Sequence, residues 1–517
     1  MKRRTFLRHA SHAVAVPGLL GSLGFTMSGK NALASLLQHA SDNDHVLVII
    51  YLEGGNDGLN TVVPLDQLSQ LNRVRSHVVL PENQLLPLRK SEVALHPSLT
   101  RFQTLHNEGR LGIVQSVGYP EQNCSHFRST DIWMSGSDSN QLVNSGWTGR
   151  YLDNRFPGFP ENYPNETVGD PLAVEIGYGA SLVFQGPQAA MSMVISNPES
   201  FYDLVENVEK PAPNTLAGDK LKYIRLIARQ SELYGEVVKQ AAAKVTQQRN
   251  YPENNQLAQQ LKIVSRLIAG GLQTPLYLVR LGGFDTHDSQ VMESDHTQGE
   301  HAQLLTTLND AVGVFMDDLE LNGVDDRVVG MTFSEFGRRI VSNASLGTDH
   351  GSAAPMFVFG NKVVGDVIGS NPTIPLNATY EDNLPMQYDF RQIYASLLEQ
   401  WLEASPGDSA QALLNSFETV PIIGDGILTS LEGEELLKVY PNPVVGRTQV
   451  EFISAGGLTE VDLIDLQGRR VQQIFSGHVS AGPQFVSWNP GQVNAGQYIV
   501  VVKGSERQAS QKVIVAR

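Results

Sequence analysis

Cysteine is nearly absent from this 517-residue chain: Cys124 stands alone, so no internal disulfide can staple the fold. Basic residues are outnumbered, 38 Lys and Arg against 54 Asp and Glu, and the formal net charge of -16 argues against nucleic acid or an anionic membrane surface as the main partner. Charged residues make up 18% and hydrophobic ones 41%, a balance that excludes a disordered chain. Nucleotide fingerprints are missing too. The early glycine-rich turn Gly54-Gly55-Asn56-Asp57-Gly58 has neither GxGxxG spacing nor a P-loop lysine, which sets aside nicotinamide and ATP. The length exceeds what one core usually accommodates, so two or more domains are expected.

The N-terminus reads as an export signal. Lys2, Arg3 and Arg4 are basic, the apolar segment from Ala13 to Phe25 is too short and glycine-rich to span a membrane, and Ala32-Leu33-Ala34 suits signal peptidase. Residues 1–34 are therefore expected to be removed, leaving a mature chain without a transmembrane segment. Arg3-Arg4-Thr5-Phe6-Leu7-Arg8 also matches the twin-arginine consensus of proteins exported already folded; an ordinary Sec signal with two arginines is the other reading.

Beyond the signal, strand-like runs alternate with helical spacing. Val46–Leu52, Leu111–Ser116, Pro275–Leu281, Arg327–Phe333 and Pro355–Phe359 read as strands. Ser98–Asn107, Glu300–Leu321 and Phe390–Leu402 read as helices, and so does Leu216–Leu272, interrupted at Asn250–Asn255, with Leu221, Ile224, Leu226, Ile227 and Leu233 near one face. Asp153–Asp170 reads as a long loop. Alternation of this kind predicts an α/β domain over 35–424, a mostly parallel sheet with helices on both faces. The acidic stretch 425–436 reads as a linker. Residues 437–517, short β-rich segments between glycine turns, predict a small antiparallel β-sandwich.

Carboxylates recur where predicted strands end. Val46–Leu52 leads to Asp57, Pro275–Leu281 to Asp285 and His287, and Arg327–Phe333 to Glu335, with Arg338 behind it; Asp349 and His350 stand just before a further strand. In an open α/β sheet the carboxyl ends of the strands share one edge, where ligands bind, so these residues can converge. Asp, Glu and neutral His hold divalent cations such as Zn²⁺, and carboxylate-rich sites also suit Mg²⁺ or Ca²⁺. Taken singly, each Asp is equally a turn or helix cap. Ser125, beside His126 and close to Arg128, offers a hydroxyl nucleophile and an anion-binding guanidinium; the alternative is a loop in which Ser125 caps a helix and Arg128 faces solvent. Cys124 reads as a small buried residue or a thiol nucleophile, and His296 and His301 as helix-surface or capping residues.

Six ordered motifs, "YLEGGNDGLNTVVP", "SVGYPEQNCSHFRSTDIW", "GWTGRYLD", "GGFDTHDSQ", "MTFSEFGRR" and "GTDHGSAAPMFVFG", resemble the bacterial family called domain of unknown function 1501 over roughly Asp44 to Ala404. That family looks like a branch of the alkaline phosphatase and sulfatase superfamily. The resemblance implies metal ligation by Asp57, by Asp285 with His287, and by His350, places Ser125 where the nucleophile would be, and leaves Arg128 or Arg338 to neutralise a phosphate or sulfate ester. Glu335-Phe336 stands where an Asp-His pair is usual, which implies that one metal histidine is missing, and with it either one metal or the activity. The segment from Leu436 to Gly504, with Tyr440-Pro441-Asn442-Pro443, Asp465-Leu466-Gln467-Gly468-Arg469 and Gly496-Gln497-Tyr498, resembles a type IX secretion sorting domain. It implies engagement of the type IX machinery after the twin-arginine or Sec translocase, and release or attachment to surface lipopolysaccharide. The expected function is thus an exported metal-dependent ester hydrolase or, alternatively, a non-catalytic surface protein on a degenerate phosphatase-like scaffold.

Overall fold

The computed structural model describes residues 43–196 apart from 90, 162 and 178, residues 232–424, and residues 437–516 apart from 441–443, 445–447, 466–468, 492 and 505–507. The expected signal peptide, the linker, and Leu221, Ile224, Leu226 and Ile227 lie outside the described residues.

Strand β1 (Val46–Glu53) is buried along its length until Glu53. Val46, Val48, Ile50 and Leu52 enter one apolar cluster, while Leu47, Ile49 and Tyr51 enter another, the two-residue alternation of a strand covered on both faces. There follow β2 (Val62–Pro64), β3 (Leu86–Pro87), β4 (Val93–Leu95), β5 (Leu111–Gly118), β6 (Ala173–Ile176), β7 (Met193–Ile195), β8 (Leu276–Gly282), β9 (Val328–Phe333), β10 (Ala354–Phe359), β11 (Val367–Ile368) and β12 (Tyr388–Asp389). β2, β4 and β3 form a small separate sheet. The main sheet has nine strands in the order β11-β5-β10-β9-β1-β8-β6-β7, with β12 also pairing β5. Every pairing in it is parallel except those of β10 with β5 and β9. The expected mostly parallel sheet is present. Because β10 alone is reversed, its amino end lies on the edge where its neighbours finish.

Helices cover both faces. α1 (Thr100–Asn107), α4 (Gln256–Ala269) and α5 (Glu300–Leu321) contribute Phe102, Leu261 and Phe315 to the first cluster. α2 (His126–Ser135), α3 (Trp147–Arg155) and α6 (Phe390–Ser396) contribute Trp133, Trp147 and Tyr394 to the second. On α5, Leu305, Leu308, Val312, Phe315 and Leu319 recur at steps of three and four and are all buried, each burial being worth about 1.5–3 kcal/mol. One expectation fails: Leu233 is 43% exposed. The helix over 232–244 buries Tyr234, Val238 and Ala241 instead, so its packed face is one residue round from the one read.

The C-terminal strands β13 (Leu437–Tyr440), β14 (Thr448–Ile464), β15 (Arg470–Trp488), β16 (Gly496–Lys503) and β17 (Gln508–Val515) are antiparallel throughout. Their hydrogen bonds join them into one five-stranded sheet, with β14 paired to β15 along its length and to β13 and β16 at its two ends. β14 and β15 are longer than the glycine turns predict, because β14 runs on through Gly457, which pairs with Val479. Val450, Phe452, Val461, Leu463 and Trp488 share a separate core. No helix among the described residues is long and apolar enough to cross a membrane.

Candidate metal centre

The turn after β1 can form only with glycine. Gly54 has φ +123 and Gly55 φ +85; a Cβ on Gly54 would lie 2.4 Å from the Asp285 nitrogen, and one on Gly55 2.3 Å from the Phe336 ring. This close approach draws the end of β1 against the segments that follow β8 and β9.

Three imidazoles and a carboxylate meet at that edge. His350 Nδ1 lies 2.9 Å from the Cys124 carbonyl, which can only accept, so the ring hydrogen sits on Nδ1 and Nε2 bears a lone pair. His287 Nδ1 donates to Asp349 Oδ1 at 2.9 Å and His126 Nδ1 to Glu335 Oε1 at 2.9 Å, which frees their Nε2 atoms in the same way. All three face Asp285: His350 Nε2 at 3.0 Å and His287 Nε2 at 3.2 Å from Oδ1, His126 Nε2 at 3.4 Å from Oδ2. His287 and His350 Nε2 are 2.9 Å apart. Lone pairs so placed repel one another unless a cation lies among them. His126, Asp285 and His350 each offer an atom within 4.8 Å of the others, and the donor set fits a divalent metal ion.

The charges suit ligation. Burial alone would raise the Asp285 carboxyl, but the Arg338 guanidinium, which donates to it and carries a full charge, outweighs burial and holds it at about 2. Burial lowers the pKa of His350 despite its bond to the Cys124 carbonyl, so the imidazole is neutral at pH 7. His350 reaches the cluster because the amino end of β10 stands on this edge.

Other residues singled out in the sequence stand elsewhere. Glu335 is fully buried and accepts the Gly54 N–H at both oxygens, 2.9 and 3.1 Å, so it lies behind His126 rather than among the inward-facing atoms. Asp349 lies likewise behind His287. Asp57 is buried apart from the cluster: Oδ2 accepts from the Arg75 guanidinium and from Gln290 Nε2 at 2.6 Å, and Oδ1 accepts from Leu59 N, capping the turn over Gly58–Thr61. Arg338 is buried and donates to the carbonyls of Gly55 (2.6 Å), Gly54 (2.5 Å), Thr348 (2.8 Å) and Phe284 (2.9 Å), and to Asp285 Oδ1 at 2.8 Å. It braces strand ends and does not face an ester. Arg128 donates to the carbonyls of Asp138, Ser139 and Gln141, holding a loop. Ser125 is exposed at the N-cap of α2 and makes no side-chain capping bond. Cys124 is half-buried, its Sγ 3.4 Å from the Gly351 carbonyl.

Two histidines are not on the helix surface. His301 is buried, with Nε2 2.9 Å from Asn56 Oδ1, and His296 Nδ1 lies 2.8 Å from the Val79 carbonyl. Phe336, where a metal histidine would be usual, packs its ring 5.0 Å from that of His126 and 4.5 Å from that of His350. Of the residues that engage Asp57, Arg75 lies in no motif, while Gln290 closes the motif "GGFDTHDSQ". An open cavity of about 770 Å³, lined by Ser289, Val291, Met292, Glu300 and Leu346 among others, begins two residues from His287.

Residues 438–516 match the secretion system C-terminal sorting domain, which marks the chain for export to the cell surface or the extracellular space. Among solved structures, the PsFucS1 sulfatase from Pseudoalteromonas sp. is similar at 11% identity over 89% of this chain and 87% of that one, with a TM-score of 0.33. A protein in the alkaline phosphatase superfamily from Vibrio parahaemolyticus is similar at 9% identity over 95% and 92%, with a TM-score of 0.32. No curated protein sequence matches the chain. Residues 110–400, more than half of the 517, match the family described as "Protein of unknown function (DUF1501)", and the chain belongs to that family.

Proposed function

We propose that this chain is an exported, metal-dependent hydrolase of phosphate or sulfate esters. The observation that carries the reading is the convergence of three imidazole Nε2 atoms on Asp285 at the exposed carboxyl edge of the sheet. His126, Asp285, His287 and His350 would hold the ion. When bound, a divalent ion supplies Lewis-acid charge at the ester group.

The chain's own residues do the rest. Arg338 fixes Asp285, while Glu335 and Asp349 fix the rings of His126 and His287. Ser125, next to His126 and with its hydroxyl free of the helix cap, is the nucleophile in this reading. Arg338 is committed to carbonyls and Asp285, whereas Arg128 engages carbonyls through Nη2 alone.

The test is turnover of aryl phosphate and sulfate monoesters by the metal-loaded mature protein and by Ser125→Ala. Loss of turnover in the variant supports the serine; retained turnover assigns the attack to water. No turnover of any ester by a protein with stoichiometric metal overturns the reading. The rival, a non-catalytic binding protein, is favoured by one observation: Asp57 is engaged by Arg75 and Gln290, and Phe336 supplies no ligand, so a two-ion clamp has no second set of donors. In both readings we propose a twin-arginine leader, type IX export, and release or attachment to lipopolysaccharide.

A further inference from the structure

We infer that the centre takes one nitrogen-preferring divalent ion per chain, of the Zn²⁺ class, and that Glu335 is a positioning residue for His126 and not a ligand. This rests on the metal-dependent reading above and narrows it.

Three of the four inward-facing donors are imidazole nitrogens, and each has its Nδ1 tied to a different acceptor: Glu335, Asp349 and the Cys124 carbonyl. Imidazole suits Zn²⁺ and its transition-metal neighbours, whereas Mg²⁺ and Ca²⁺ take oxygen ligands, of which Asp285 alone is offered here. An oxygen-rich second site would need Asp57 and Glu335. Asp57 already accepts from Arg75, Gln290 and Leu59, and Glu335 from Gly54 and His126. A buried carboxylate behind a ligating imidazole fixes the tautomer and raises the basicity of the inward nitrogen. Glu335 meets that description. Phe336 packs its ring against those of His126 and His350 and offers no donor.

The test uses the full mature chain, stripped by chelator and equilibrated with Zn²⁺, Co²⁺, Mg²⁺ or Ca²⁺ singly. Bound ions per chain are counted by elemental mass spectrometry, and the visible spectrum of the Co²⁺ form is recorded. One Zn²⁺ per chain is expected, with Mg²⁺ and Ca²⁺ failing to displace it at about a hundredfold excess. His126→Ala should shift the Co²⁺ bands. Glu335→Gln should leave the stoichiometry at one and the bands in place while weakening affinity about 10–100-fold. Two ions per chain, equal competition by Ca²⁺, or a changed Co²⁺ ligand field in Glu335→Gln would overturn the inference. If a variant fails to fold, the count and competition on the unmodified chain still decide. One Zn²⁺ with no ester turnover sinks the hydrolase and spares this inference; turnover with bound Ca²⁺ does the reverse.

Discussion

His126 Nδ1 and Glu335 Oε1 stand 2.9 Å apart across 209 positions of sequence, and this bond ties the head of α2 to the end of β9. Glu335→Ala would strand both the His126 and the Gly54 N–H groups. A loss of about 1–3 kcal/mol in urea unfolding is expected, the cost of leaving buried donors without acceptors.

Arg338 offers a sharper contrast with its expected role. If it bound a substrate anion, Arg338→Met would cut turnover and leave stability alone. Its partners are instead four carbonyls and Asp285. The expected outcome is destabilisation of about 3–5 kcal/mol by denaturant unfolding, with Lys recovering only part because it lacks the planar fork.

Arg128→Ala should leave the bound metal count unchanged, since its guanidinium holds the carbonyls of 138, 139 and 141 and touches no ligand. Limited proteolysis should show faster cleavage at 138–142. Loss of metal instead would return Arg128 to the site.

Phe336→His adds an imidazole beside the cluster. Its ring would neighbour those of His126 and His350, yet Asp57 would remain engaged by Arg75 and Gln290. Elemental analysis should still find one ion per chain.

Acid should weaken the fold through two histidines outside the metal cluster. Burial pushes His301 down to about 4, with Asp57 opposing and the Arg338 and Arg75 charges adding to the fall, and pushes His96 down to about 3, with His301 in edge contact lowering it further. His301 Nδ1 has no hydrogen-bond partner among the described residues, so a proton added there would be a buried, unpaired charge. Unfolded, each ring takes its proton near the usual 6.5; folded, only near 4 or 3. Between those values the unfolded chain binds more protons, so stability is full above about pH 6.5 and falls as pH drops toward 4. Urea unfolding at pH 7.5, 6 and 5 should show the decline, and His301→Gln should flatten it.

The sheet and its helices were largely legible. The bounds of α5 coincide with the reading because its apolar residues keep one helical stripe throughout, and β1 is unmistakable because a run buried on both faces cannot alternate. Proximity was legible where it depends on strand ends: Asp285, His287 and His350 meet at the sheet edge. The place of His126 was not legible, because its partners Glu335 and Asp285 follow other strands. Asp57, Glu335 and Arg338 were read from strand ends and from the resemblance. What decides their contacts are Arg75, Gln290, Gly54 and a set of backbone carbonyls, some near in sequence and others more than two hundred positions away, which no local pattern announces.

The partners of Arg338 all belong to the chain itself, so its contacts form when the sheet forms. The cradle at the edge of the sheet is then a product of folding and not of ion uptake. If the centre takes an ion, as proposed above, loading can therefore follow folding and need not direct it.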